Sequence, residues 1–173
     1  MKTFLPTSIA FVIATGTAAA QDAQTTRLVA TVTEAFFDQI TAEDFATEGG
    51  FLSDSLATMM PADEWAERRR FVIARSGPTP RLVAHRLTYY QDDTLSAVVD
   101  FSAPATKTDT FICGYLVWSL PAPNRAGLTR FEQNIIDAEI FRAMPTQAAV
   151  ETMTTWQCPP DLIATVLGLS VQE

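Results

Sequence analysis

The sequence predicts an α+β domain: N-terminal helices packed on a bent antiparallel sheet of about four strands, followed by a helical tail. Three observations predict it. Apolar residues recur at helical spacing through residues 26–76. Four strand-like runs, separated by turn signals, fill 81–136. Helical spacing then returns from residue 145. Helices first and strands afterwards is the order of an α+β chain, not of an alternating α/β one.

The chain has 173 residues, the length of one domain. Hydrophobic residues make up 47% and charged residues 18%, which is enough for a packed core and argues against disorder. The net charge is −8. Phosphate backbones and anionic lipid repel such a protein, so no nucleic-acid partner is expected.

Residues 1–20 read as a secretory signal peptide. Lys2 supplies the positive start, 5–17 the apolar stretch, and Ala18, Ala19 and Ala20 the small residues that signal peptidase needs. The alternative is a buried N-terminal helix, which Pro6 and Gly16 disfavour. Cleavage near Ala20/Gln21 leaves 21–173 as a single α+β domain, periplasmic or secreted. No later run is long enough for stable membrane insertion. An oxidising compartment makes Cys113 and Cys158 a disulfide pair, the alternative being two buried thiols. A bridged loop of about 45 residues is worth roughly 4 kcal/mol in the chain-entropy treatment. Two Cys and one His without ligand-like spacing make no metal site, and no cofactor motif is present.

The elements follow in order. Leu28, Val32, Ala35, Phe36 and Ile40 form one apolar stripe of a helix over 26–40. Thr41 and Asp44 resemble a capping box for a short turn that Gly49-Gly50 ends. Residues 51–59 form another short helical piece. The helix over 61–76 is the best marked, with Pro61 at its start, Asp63 and Glu64 in its first turn, and Gly77-Pro78 as its stop. Within it, Arg68, Arg69 and Arg70 read as a solvated face paired with Glu64 and Glu67.

Strands are expected over 81–91, 94–103, 110–120 and 128–136. The turns between them are Asp92-Asp93, 104–109 and 121–127, short enough for an antiparallel meander. The run 110–120 is apolar on both faces and belongs in the middle of the sheet. In the tail, Ala149, Val150, Met153 and Trp156 share one helix side over 145–157. Leu162, Val166 and Leu169 share another over 161–169.

MPADEW at 60–65, VVDF at 98–101, CGYLVW at 113–118 and the late Cys158-Pro159 carry a resemblance. The stretch from Leu28 to Leu169 resembles the cone-shaped nuclear-transport-factor-two-like proteins, and is similar to secreted bacterial proteins of that general type. The resemblance implies a cone-shaped α+β fold. That fold hosts isomerases, dehydratases and pure binding domains, so it implies no single activity.

The chain has no nucleophile elbow, no HExxH, no phosphate-binding glycine loop and no CxxC. One constellation remains. An even-length turn centred on Asp92-Asp93 sets His85 directly across the ladder from Asp100. A carboxylate beside the only imidazole is what a general base requires. The alternative is an exposed cross-strand pair, and a three-residue turn dissolves the pairing. Tyr89, Tyr115 and Trp118 either line a ligand pocket or form plain core. The expected role is a non-catalytic binding or interaction domain for a small apolar ligand or an envelope protein. The alternatives are an isomerase-like or dehydratase-like enzyme using His85 with Asp100, its pocket lying between the sheet and the 26–40 helix, and an accessory subunit of an envelope complex.

Overall fold

The computed structural model describes residues 16–103 and 109–169, with backbone only for 16–22, 75 and 76. Residues 1–15 of the expected signal peptide, most of the expected 104–109 turn, and 170–173 lie outside the described residues.

The first helix is longer than expected: α1 spans Gly16–Ala42, running across the expected cleavage point. It buries Val29, Phe36, Phe37 and Ile40. Thr41 does not cap the next turn; its hydroxyl donates to Phe37 O, 3.0 Å away. Asp44 does the capping, accepting from Thr47 N at 3.1 Å to start α2 (Phe45–Gly49). Ser53 caps α3 (Asp54–Met59) in the same way. In α4 (Ala62–Ser76) the acidic first turn faces the positive helix end, and Gly77 stops the helix at φ 79°, a value suited to glycine.

Four antiparallel strands follow in the order β1-β2-β3-β4: Val83–Gln91, Leu95–Ala103, Thr110–Ala122 and Arg125–Asp137. The meander is as expected, and β3 is an inner strand covered on both faces. The expected loop 121–127 is mostly strand. Ala122 pairs with Arg125 around a two-residue turn, Pro123-Asn124, where a missing N–H breaks no ladder hydrogen bond.

Period-two alternation assigns the two faces. On the first, Ala97, Val99, Phe101, Leu116 and Trp118 meet α1 and α4. Phe36 sits at the centre, edge-on to Phe51, Trp118 and Phe131 at 5.4–6.0 Å between ring centroids. Trp118 Nε1 donates to Thr33 Oγ1 at 2.8 Å, satisfying the one polar atom that its burial strands. On the second face, Phe111, Cys113 and Ile136 meet α5 (Ala138–Ala143), α6 (Thr146–Thr155) and α7 (Pro160–Leu167). Cys113 and Cys158 are disulfide-bonded with their Cα atoms 5.1 Å apart, which ties the start of the last helix to the inner strand. Helix α5 was not anticipated; its cap, Asp137, is the last residue of β4.

The arginine run is corrected in one member. Arg68 pairs with Glu64 on the surface at 3.2 Å, but Arg69 is buried. Four residues after the buried Trp65, it falls on the same inward helix face. Its Nε donates to Glu48 Oε2 at 2.9 Å, and its Nη1 to Gln133 Oε1 at 2.9 Å. Trp65 Nε1 donates to the same Glu48 oxygen at 3.0 Å. The guanidinium also lies 5.4 Å from the centroid of Phe131. Burial pushes the Glu48 carboxyl above its ordinary value of 4.5, with the Arg69 charge and these hydrogen bonds pulling against it. This cluster ties α2 and α4 to β4.

Candidate functional site

The β1–β2 hairpin decides the site. Gln91 pairs with Leu95, so the turn holds three residues, Asp92, Asp93 and Thr94. That moves the ladder by one position from the expected register. Arg86, not His85, faces Asp100. His85 becomes the extra residue of a β-bulge between Ala84 and Arg86.

The bulge has a chemical consequence. Both residues after Ala84 reach partners on the second face of the sheet. His85 Nε2 lies 2.6 Å from Ser102 Oγ. Arg86 Nε donates to Asp100 Oδ2 at 2.6 Å, and its Nη2 to Gln157 Oε1 at 2.7 Å. Asp100 is only 5% exposed. A carboxylate that buried needs a charged donor, and Arg86 supplies it. The expected His85–Asp100 pair is therefore replaced by His85–Ser102 and Arg86–Asp100. Both hydrogen bonds lie on the sheet face opposite α1, although His85 and Arg86 also line the groove beside that helix.

The expected aromatic lining is divided in the same way. Trp118 is wholly buried in the first-face core. Tyr89 is also on that face, its hydroxyl sharing a 3.1 Å hydrogen bond with Thr26 Oγ1 of α1. Tyr115 pairs with Asp100 across β2–β3 and so shares its face. It lies under Arg130, whose guanidinium is 5.3 Å from the ring centroid.

Two concavities meet at the bulge. The first lies between α1 and β1 and measures about 410 Å³. Val29, Phe37, Leu82, Leu87 and Val99 give it apolar walls, while Glu34, Asp38 and Arg81 stand at its rim. The second runs between the open part of the other sheet face and the α6–α7 corner. It is made of two adjoining cavities, about 510 and 260 Å³, that share Arg86, Asp100 and Gln157. Cys158 and Pro159 line one end; Tyr90 and Tyr115 line the other. His85 borders both concavities.

Sequence reasoning missed Arg86, Ser102 and Gln157. A signal for Arg86 was present: allowing Thr94 into the turn puts Arg86 opposite Asp100, an opposite-charge cross-strand pair. Gln157 had none, because its role depends on where the tail folds back. Among the described residues, no three His, Cys, Asp or Glu side chains gather as a metal site. No protein-family model, no curated protein and no solved structure matches this chain.

Proposed function

We infer that the protein is a non-catalytic binding domain holding a small apolar ligand in the groove between α1 and β1. One observation carries this reading: a concavity of about 410 Å³ with apolar walls and a charged rim, within the size range of small-molecule sites. Burying apolar surface against Val29, Phe37 and Leu87 supplies the affinity, at about 25 cal/mol per Å² removed from water. The rim charges Glu34, Asp38 and Arg81 select against a ligand charged along its whole length.

The same proposal includes a periplasmic or secreted location and membership of the cone-shaped superfamily. The disulfide supports the first, since such bonds persist in oxidising compartments. In addition, no helix among the described residues is long and apolar enough to cross a membrane. The helices-first order and four-strand meander support the second.

The test uses the neutral fluorophore N-phenyl-1-naphthylamine. Its emission is expected to rise with the native protein, and the rise to be lost in Ala30→Trp. Ala30 is an exposed α1 residue in the groove wall, so a larger side chain fills the groove without entering the core. No emission change with native protein, or an equal change with the variant, sinks the reading.

A further inference from the structure

We propose that the cleft on the opposite face, centred on Arg86, Asp100 and Gln157, is a saccharide-binding site for a short neutral oligosaccharide. It is separate from the apolar groove and stands or falls independently of it. Three observations converge on it.

The first is the polar floor. Arg86, Asp100 and Gln157 are all planar side chains whose forked atoms match adjacent hydroxyls. They are already bonded to one another, at 2.6 and 2.7 Å, so the set is pre-organised. Asp100 and Arg86 cancel in charge, and the chain carries −8 overall, so the floor recruits no anion. It offers both donors and acceptors, the combination that hydroxyl groups take up.

The second is the wall. Tyr90 is 58% exposed, and Tyr115 lines the same cavity. Aromatic surface beside hydrogen-bonding groups suits a ligand with apolar C–H faces and polar edges, as a pyranose ring has. Thr88, Thr154 and Thr155 border the cleft as well. The two cavities adjoin at Arg86, Asp100 and Gln157, which gives room for more than one ring.

The third is the anchoring of Gln157. Gln157 adopts φ 61° just after α6, a position where glycine or asparagine is usual. The hydrogen bonds that end the helix there are made by backbone groups. The Gln157 side chain instead reaches Arg86, and Cys158, the next residue, is locked to β3 by the disulfide. Glu43 adopts a similar φ after α1, so what points to the cleft is the reach of the Gln157 side chain to Arg86 and its anchoring beside the disulfide.

The experiment adds maltohexaose, cellohexaose and chitohexaose separately to ¹⁵N-labelled, disulfide-intact protein and follows the amide spectrum. At least one sugar is expected to shift the Gln157 side-chain amide and the backbone signals of Tyr90 and Tyr115, saturating below about 10 mM. Gln157→Gly relieves the positive φ and is expected to keep the melting temperature while weakening binding about tenfold or more. Tyr90→Ser, at an exposed position, is expected to weaken binding with the fold unchanged. No shifts with any of the three sugars at about 10 mM overturn the proposal. So do shifts confined to residues outside this cleft, or Gln157→Gly binding as tightly as the native protein.

Discussion

Replacing Arg69 by Met isolates the buried cluster's electrostatics. The native pair is almost fully inside, with side chains 5% and 0% exposed, so solvent does not screen it. Arg69→Met leaves Glu48 with one donor, Trp65 Nε1, and no positive charge. Breaking one side of a buried pair costs about 3–5 kcal/mol. At this chain length that is a drop in melting temperature of about 6–20 °C. The loss also depends on pH, with a definite sign. The Glu48 pKa is already above 4.5 in the folded protein, because burial outweighs Arg69, and removing Arg69 raises it further. A group whose folded pKa is raised contributes stability that is fully present below its unfolded value and is lost as pH rises through its folded value. The deficit of Arg69→Met relative to native protein is therefore expected to be large at neutrality. It should shrink as pH falls toward 4.5, leaving the lost packing on Phe131. Adding Glu48→Gln removes the stranded charge and keeps an acceptor for Trp65, so the double variant should recover much of the neutral-pH loss. Urea unfolding followed by tryptophan fluorescence, at neutral and at mildly acid pH, measures both. A deficit equal at the two pH values, together with a double variant worse than the single, refutes this account.

Reducing the Cys113–Cys158 bond is expected to cost about 4 kcal/mol, given its 45-residue separation. Melting with and without reductant measures the loss, and alkylation without reductant should label neither cysteine. Gly114→Ala is expected to be among the most damaging single changes. A Cβ there overlaps the backbone carbonyl of Glu132 on the paired strand, which cannot move without breaking the β3–β4 ladder. The soluble yield and melting temperature of that variant check it, and near-native values would show that the two strands can separate locally.

Much of the fold was legible in the residues. The stripe ending at Ile40, the Gly77 stop and the alternation of 95–103 rest on local rules, and the chain obeys them. The doubly apolar run at 110–120 correctly implied an inner strand. What was not legible hinged on single-residue counts or on distant partners. One extra residue in the 92–94 turn moved the pairings from Arg86 to Gln91 and exchanged His85 for Arg86 opposite Asp100, until the bulge at His85 restored the expected register at Ala84. Arg69 looked solvated because its neighbours are; its partners, Glu48 and Gln133, are 21 and 64 residues away in sequence. Tyr115 and Trp118 both read as candidate pocket lining, but an odd separation on a strand puts them on opposite faces.

The strand order has a consequence for how the chain assembles. Each strand pairs only with its sequence neighbour, so the sheet needs only short loops to be closed. The helical layer is different. Thr33 meets Trp118 across 85 residues, and Gln24 meets Asn124 across 100. Closure entropy thus favours the three hairpins as the early structure, with α1 docking onto a sheet already formed. Cys113 lies within that early sheet, whereas Cys158 arrives with the tail. Oxidation then records a topology that the hairpins have already chosen, and with only two cysteines in the chain it has no wrong intramolecular partner to sort out.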